Sequence, residues 1–288
     1  MSTTTRTLLA ALCASIALAP AAANAQSAAL SSRAEPAAFA NPRRLEQLSS
    51  AFPAIDSLMA AFAERSRVPG IAYGIVIDGR LTHVGTAGVR EVPSRAPVDT
   101  ASVFRIASMT KSFTAVAILQ LRDAGLLSLD DPAERYVPEL ASLRATGDAP
   151  PITIRHLLSH SAGFPEDNPW GDQQLAATDE EMSAMMRAGI PFSTAPGTSY
   201  EYSNFGFAIL GRIVANVSGM AYPRYITEHV LRPLGMNSTT LEASAVPASR
   251  LARGYRLRDG EWIEEPALPD GAFGPMGGML TSVSDLSR

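Results

Sequence analysis

Cysteine and lysine are nearly missing from this sequence, whose 288 residues hold one of the first, Cys13, and one of the second, Lys111. A lone cysteine cannot close a disulfide within a chain. Because Cys13 lies inside a segment that reads as a secretion signal, the mature chain is expected to carry no thiol at all. That excludes cysteine nucleophiles, disulfides and thiolate metal sites. Positive charge is not in excess either: the net charge is −4 and the pI near 5.6, without the basic footprint of a nucleic-acid binder. Of the 24 lysine-plus-arginine residues all but Lys111 are arginine. What lysine offers and arginine does not is an amine that loses its proton near neutral pH once it is desolvated or set near another cation.

Long apolar runs are scarce as well. The stretch from Leu8 to Ala19 is too short to cross a bilayer. Arg6 before it and Ala23-Asn24-Ala25 after it complete the pattern of a secretory signal cleaved after Ala25. Cys13 follows Leu12, where a lipoprotein cysteine would follow a small residue. The expected organisation is a signal peptide over residues 1–25, a flexible Ala/Ser-rich leader over 26–42 and one domain over 43–288, periplasmic or secreted and without a stable membrane anchor.

Within that domain, Leu48, Phe52, Ile55, Leu58, Met59 and Phe62 recur at helical spacing across Leu45 to Arg67, despite Pro53. Gly70 to Ile77 reads as a strand, and Asp78-Gly79 is a two-residue hairpin signal returning the chain over Arg80 to Gly85. Asp259-Gly260 predicts a second hairpin, Tyr255–Arg258 with Glu261–Glu264. Helices are predicted between them over Thr110 to Ala124, Asp179 to Ala188 and Phe205 to Val217, each running into a glycine (Gly125, Gly189, Gly219) suited to a left-handed C-terminus. Strands at the outside with helices between them make an α+β fold. The last residues, Thr281 to Arg288, carry the signals of a helix beginning, so further strands are expected to be missing at the C-terminus.

The chemistry gathers in two short stretches. Ser108 stands three residues before Lys111, a spacing that puts hydroxyl and amine on one helix face; serine becomes a nucleophile only when a base takes its proton. In Tyr202-Ser203-Asn204 an extended backbone would aim Tyr202 and Asn204 at one cleft. Tyr202 serves as a base only if a nearby cation stabilises its phenolate, and Lys111 is the natural cation; otherwise it is a packed aromatic. Asn204 would hold a substrate carbonyl and the lysine together. His156 and His160 lie four apart, but Leu157 stands where a zincin has glutamate and no third ligand is evident; they are read as structural or cleft-wall residues. Asp130-Asp131 is read as a turn, and Met182, Met185 and Met186 as helix packing. The Gly-x-Ser-x-Gly elbow of α/β-hydrolases is absent.

Ile106 to Ala115, with Ser108-Met109-Thr110-Lys111 at its centre, resembles the active-site segment of serine β-lactamases and penicillin-binding proteins, more narrowly the class C β-lactamase-like branch with its esterases and D-peptidases. Tyr202-Ser203-Asn204 matches that branch's Tyr-x-Asn motif. Arg155 to Gly163 resembles its Leu-Leu-x-His-x-Ser-Gly segment, departing at Ser161-Ala162, and Leu234-Gly235-Met236 and Phe273 to Ser282 agree with its later blocks. The resemblance implies a β-lactamase/transpeptidase-like fold, an antiparallel sheet flanked by helices plus a mostly helical lobe. It implies Ser108 as nucleophile, Lys111 as the residue keeping it deprotonatable, Tyr202 as proton-shuttling base and Asn204 as a substrate-binding residue. The family's Lys/His-x-Gly strand, the second arm of its oxyanion hole, has no counterpart here. The resulting expectation is an exported serine hydrolase working through an acyl-enzyme, without cofactor or metal, on an ester, a D-amino-acid peptide or a β-lactam, its partner a small-molecule or peptidoglycan-derived substrate. Two other readings fit the same residues: a penicillin-binding-type sensor that acylates with little turnover, and an inactive truncated product.

Overall fold

The Asp78-Gly79 turn sets the first sheet. Both residues have positive φ, 51° and 74°, the backbone of the tight turn that matches strand twist. β1 (Gly70–Ile77) and β2 (Arg80–Glu91) therefore pair antiparallel from Ile77↔Arg80 to Gly70↔Gly88, with a register shift between Ile75 and Val76. β2 runs past Gly85, where its expected end lay, because Gly88 at φ 74° bends the chain and Val89 and Glu91 go on to pair with β3 (Ala96–Pro97). Its Gly, Ala and Thr residues hide the alternation that would have shown this.

The structure is a computed structural model that describes residues 39–288 apart from 144, 146 and 169. The expected signal segment and the leader up to residue 38 lie outside the described residues. The helix expected from Leu45 to Arg67 is two helices. Arg44–Ser49 stands in the first part of the chain, and Phe52–Arg65 belongs to the unit formed by Ser50–Arg288. Pro53, in the first turn of the second helix, is placed where its missing N–H is harmless. That helix is tied to the sheet by Asp56, whose Oδ1 accepts from the Tyr73 hydroxyl at 2.5 Å and lies 2.6 Å from His83 Nε2.

Two further small antiparallel sheets complete the strands: β4 (Phe104–Arg105) with β7 (Leu280–Thr281), and the expected hairpin β5 (Gly254–Arg258) with β6 (Glu261–Glu265), turned by Asp259 and Gly260. The helices follow the apolar periodicity closely: Thr110–Asp123, Asp179–Ala188 and Asn204–Ser218. Thr178 and Glu181 form a capping box at the second, and Met182 and Met186 are buried in the core. The last helical turn, Val283–Leu286, is capped by Ser282. Helices packed with small antiparallel sheets make this the expected α+β architecture. Among the described residues no single helix is long and apolar enough to cross a membrane.

The Asn204–Ser218 helix is the hub, with ten buried residues. It packs against Thr110–Asp123 and against the short helix Gly274–Gly277. The approach to the latter is very close: a Cβ on Gly211 would lie 2.0 Å from Pro275 Cγ. Thr110, Lys111 and Thr114 are buried polar residues on the helix that carries them. All three bond the 275–279 segment: Thr110 Oγ1 accepts from Met279 N at 3.1 Å, Lys111 Nζ donates to Met276 O at 2.8 Å and Thr114 Oγ1 to Pro275 O at 2.7 Å. Gly211→Ala is expected to push this segment away and destabilise the fold by about 1–3 kcal/mol, the usual result of overpacking a core. An unchanged thermal midpoint in Gly211→Ala would show the contact to be slack.

Candidate active site

Ser108 sits in a 3-10 turn, Ala107–Met109, that runs directly into the Thr110–Asp123 helix. The expected helix start is thus preceded by a tighter turn, reached through Ala107 at φ 46°, an uncommon backbone for a residue with a Cβ. Side chains on a helix lean toward its N-terminus, so Lys111 reaches back over this turn and Nζ lies 3.1 Å from Ser108 Oγ.

Lys111 is 7% exposed. Its ammonium has three N–H groups and three acceptors: Ser108 Oγ, Asn204 Oδ1 at 2.7 Å and the Met276 carbonyl at 2.8 Å. Among the described residues no carboxylate forms an ion pair with it. Burial therefore drives its pKa down to about 8, and the more distant charges of Asp167 and Asp172 hold it from falling further. A neutral amine has two N–H groups and a lone pair. In that form, with Asn204 and Met276 taking the N–H groups, the lone pair would face Ser108.

The Tyr202 hydroxyl donates to Ser108 Oγ at 2.6 Å. The sequence reading expected the lysine charge to favour the phenolate. The balance runs the other way: burial raises the tyrosine's pKa first of all, Asp172 and Asp167 add to the rise, and the hydrogen bond to Ser108 offsets only part of it. Lys111 Nζ lies over the ring, 4.8 Å from its centroid. Burial thus favours the phenol form at Tyr202 and the neutral amine at Lys111.

Asn204 is fully buried. Its amide carbonyl takes Lys111 and its Nδ2 donates to Asn168 Oδ1 at 2.8 Å, so its contacts here orient the lysine. Ser203 caps the Asn204–Ser218 helix through Gly206 N, and Asp167 caps it from outside, accepting from Asn204 N and Phe205 N, both at 2.7 Å, and from Ser203 Oγ at 3.3 Å. Asp167 and Asn168 are the residues that sequence reasoning missed. The signal available was a helix N-terminus needing acceptors and a short acidic, proline-flanked run, Pro165-Glu-Asp-Asn-Pro169, with nothing to say that the two meet.

The histidines separate. His156 stays on its helix, Ile154–Leu158, and caps it, its Nδ1 accepting from Thr153 N at 3.3 Å. His160 lies beyond that helix at φ 53°. Its Nδ1 accepts from Ser203 N at 3.0 Å and its ring stacks on Tyr202 at 4.6 Å. Burial, with Lys111 nearby, lowers its pKa to about 4, so it is a neutral wall behind the tyrosine. No group of three or more metal-ligating side chains is assembled among the described residues. A cavity of about 390 Å³, bordered by Ala107, Asp172, Leu175, Met276, Gly277 and Leu251, opens beside the turn that carries Ser108.

Known proteins resemble this chain in sequence and in fold. The Beta-lactamase family model matches residues 55–288. Protein flp of Staphylococcus aureus (strain MW2) is 30% identical over 240 residues, 81% of this chain and 47% of its own length; the chain spans about half the length of the curated relatives it matches. Among solved structures, the octameric penicillin-binding protein homologue from Pyrococcus abyssi superposes with a TM-score of 0.71 at 32% identity, covering 82% of this chain and 55% of its own. A class C β-lactamase superposes with a TM-score of 0.69 at 26% identity, covering 86% and 65%. With its α+β fold and this match in sequence along most of its length, the chain belongs to the Beta-lactamase family of serine β-lactamase and penicillin-binding-protein-like proteins.

Proposed function

We propose that the chain is an exported serine hydrolase that forms a covalent acyl-enzyme on Ser108, acting on an ester, a D-amino-acid peptide or a β-lactam. The observation that carries this reading is the convergence of Lys111 Nζ and the Tyr202 hydroxyl on one oxygen, at 3.1 and 2.6 Å. Neutral Lys111 takes the Ser108 proton as Oγ attacks the carbonyl carbon of the substrate. The oxyanion that forms sits at the head of the Thr110–Asp123 helix, where the dipole and the Ser108 backbone N–H favour negative charge. As the bond to the leaving group breaks, Tyr202 gives that group a proton and recovers one from Lys111. Water then attacks the ester and the same groups move its protons in reverse order. The motif implies Tyr202 as the base; the burial of Lys111, which lowers its pKa to about 8, supports proton removal by the lysine with Tyr202 as the donor. Export rests on the pattern of residues 1–25, and no metal or cofactor enters the scheme.

A fluorophosphonate probe is expected to label Ser108 stoichiometrically, and Ser108→Ala to abolish the label. Lys111→Arg keeps a positive charge but has no neutral form, and is expected to slow labelling by about two to four orders of magnitude, the usual effect of removing a positioned acid–base group. Label retained by Ser108→Ala, or a near-normal rate in Lys111→Arg with unchanged melting, would sink the assignment. Expression in a Gram-negative host with N-terminal sequencing of the periplasmic product is expected to begin at Gln26; a product retaining Met1 would contradict export by signal cleavage.

A further inference from the structure

Lys111 is a desolvated cation whose contacts are all neutral: a hydroxyl, an amide and a peptide carbonyl. Negative charge reaches it from one short stretch of chain. Asp167 lies at the start of that stretch, and Asp172 on the helix Trp170–Gln173 that follows. Asp167 is joined to the lysine through a single residue: its Oδ1 accepts the Asn204 backbone N–H, and the Asn204 side-chain carbonyl accepts from Lys111 Nζ. It also accepts from Phe205 N and Ser203 Oγ, so its place is fixed by the same turn that carries Tyr202 and Asn204. Among the described residues no hydrogen bond or ion pair engages the exposed Asp172 carboxylate, which borders the cavity beside Ala107 and Met276.

We propose that Asp167 and Asp172 are positioning residues of this site, a pair of carboxylates that sets how tightly Lys111 holds its proton and so the pH at which Ser108 can be activated. The inference rests on the proposed role of Lys111 as base. Among the described residues the other groups facing the amine are Ser108, Tyr202 with neutral His160 stacked behind it, the Phe207 ring, Asn204 and the Met276 carbonyl, none of them anionic, so these two aspartates supply the negative charge. Burial and the carboxylates pull in opposite directions, and the outcome near pH 8 is their balance. Removing either carboxylate leaves burial less opposed, and the lysine then gives up its proton at lower pH.

The sequence makes this directly measurable, because Lys111 is its only lysine. Protein grown with lysine carrying carbon-13 at Cε gives one labelled side-chain signal, whose shift with pH reads the protonation of Nζ without any substrate or turnover. The native chain is expected to titrate near 8. Asp167→Asn, which keeps an oxygen for the Asn204 N–H, and Asp172→Asn are each expected to lower the midpoint, Asp172→Asn by the smaller shift because water screens its exposed charge. Asp123→Asn, at the far end of the lysine's own helix and paired with Arg122, is expected to leave it in place. Midpoints unmoved in both Asp167→Asn and Asp172→Asn overturn the proposal. If Asp167→Asn loses its fold by melting, Asp172→Asn decides alone. Probe labelling of Ser108 tests the hydrolase reading separately, so failure of one is not mistaken for failure of the other.

Discussion

The burial of one ammonium group organises this molecule. Lys111 lies inside the protein with each of its three N–H groups on an oxygen, and those oxygens come from three separate parts of the chain: the turn before its own helix, the Asn204–Ser218 helix and the Gly274–Gly277 helix. Stranding a buried charge without partners would cost several kcal/mol. The lysine is therefore satisfied only when all three segments are docked. Ser108, the loop of Tyr202 and Asn204, and the glycine-rich 274–278 segment are held in register by Lys111.

The same arrangement explains why the protein can leave the lysine poised. The three acceptors are neutral, so they satisfy geometry without adding a countercharge that would fix the proton. Asp167 and Asp172 add negative charge from farther away. Thr110 and Thr114, one before and three after the lysine, bond the same 275–279 segment and share the mechanical task, so the lysine is not the only tie between those elements. His160 does the equivalent for Tyr202, one ring nitrogen on the Ser203 N–H and one face against the phenol.

Much of this was legible in the sequence because it is local. Asp78-Gly79 and Asp259-Gly260 specify hairpins by backbone conformation alone, and Ser108 with Lys111 is a contact between neighbours on one helix face. Convergence of Tyr202 on Ser108, 94 residues away, came from resemblance to a known segment and not from periodicity. What escaped was non-local and polar. Asp167 and Asn168 act across about 36 residues on the start of another helix, and nothing in their own stretch announces the partner. Whether lysine or tyrosine is the base depends on how deeply each is buried, and two residue names in a motif do not carry that quantity. The continuation of β2 beyond Gly85 was hidden by small residues that spoil alternation.

The central claim is that Lys111, not Tyr202, removes the serine's proton. The pH dependence of Ser108 phosphonylation by a neutral fluorophosphonate, measured on the native chain and on Tyr202→Phe, tests it most directly. If the lysine is the base, the rate rises with pH to a plateau with a midpoint near 8, and Tyr202→Phe lowers the plateau while keeping the midpoint. A midpoint at or above the ordinary tyrosine value of about 10, or one that vanishes in Tyr202→Phe, would contradict the account.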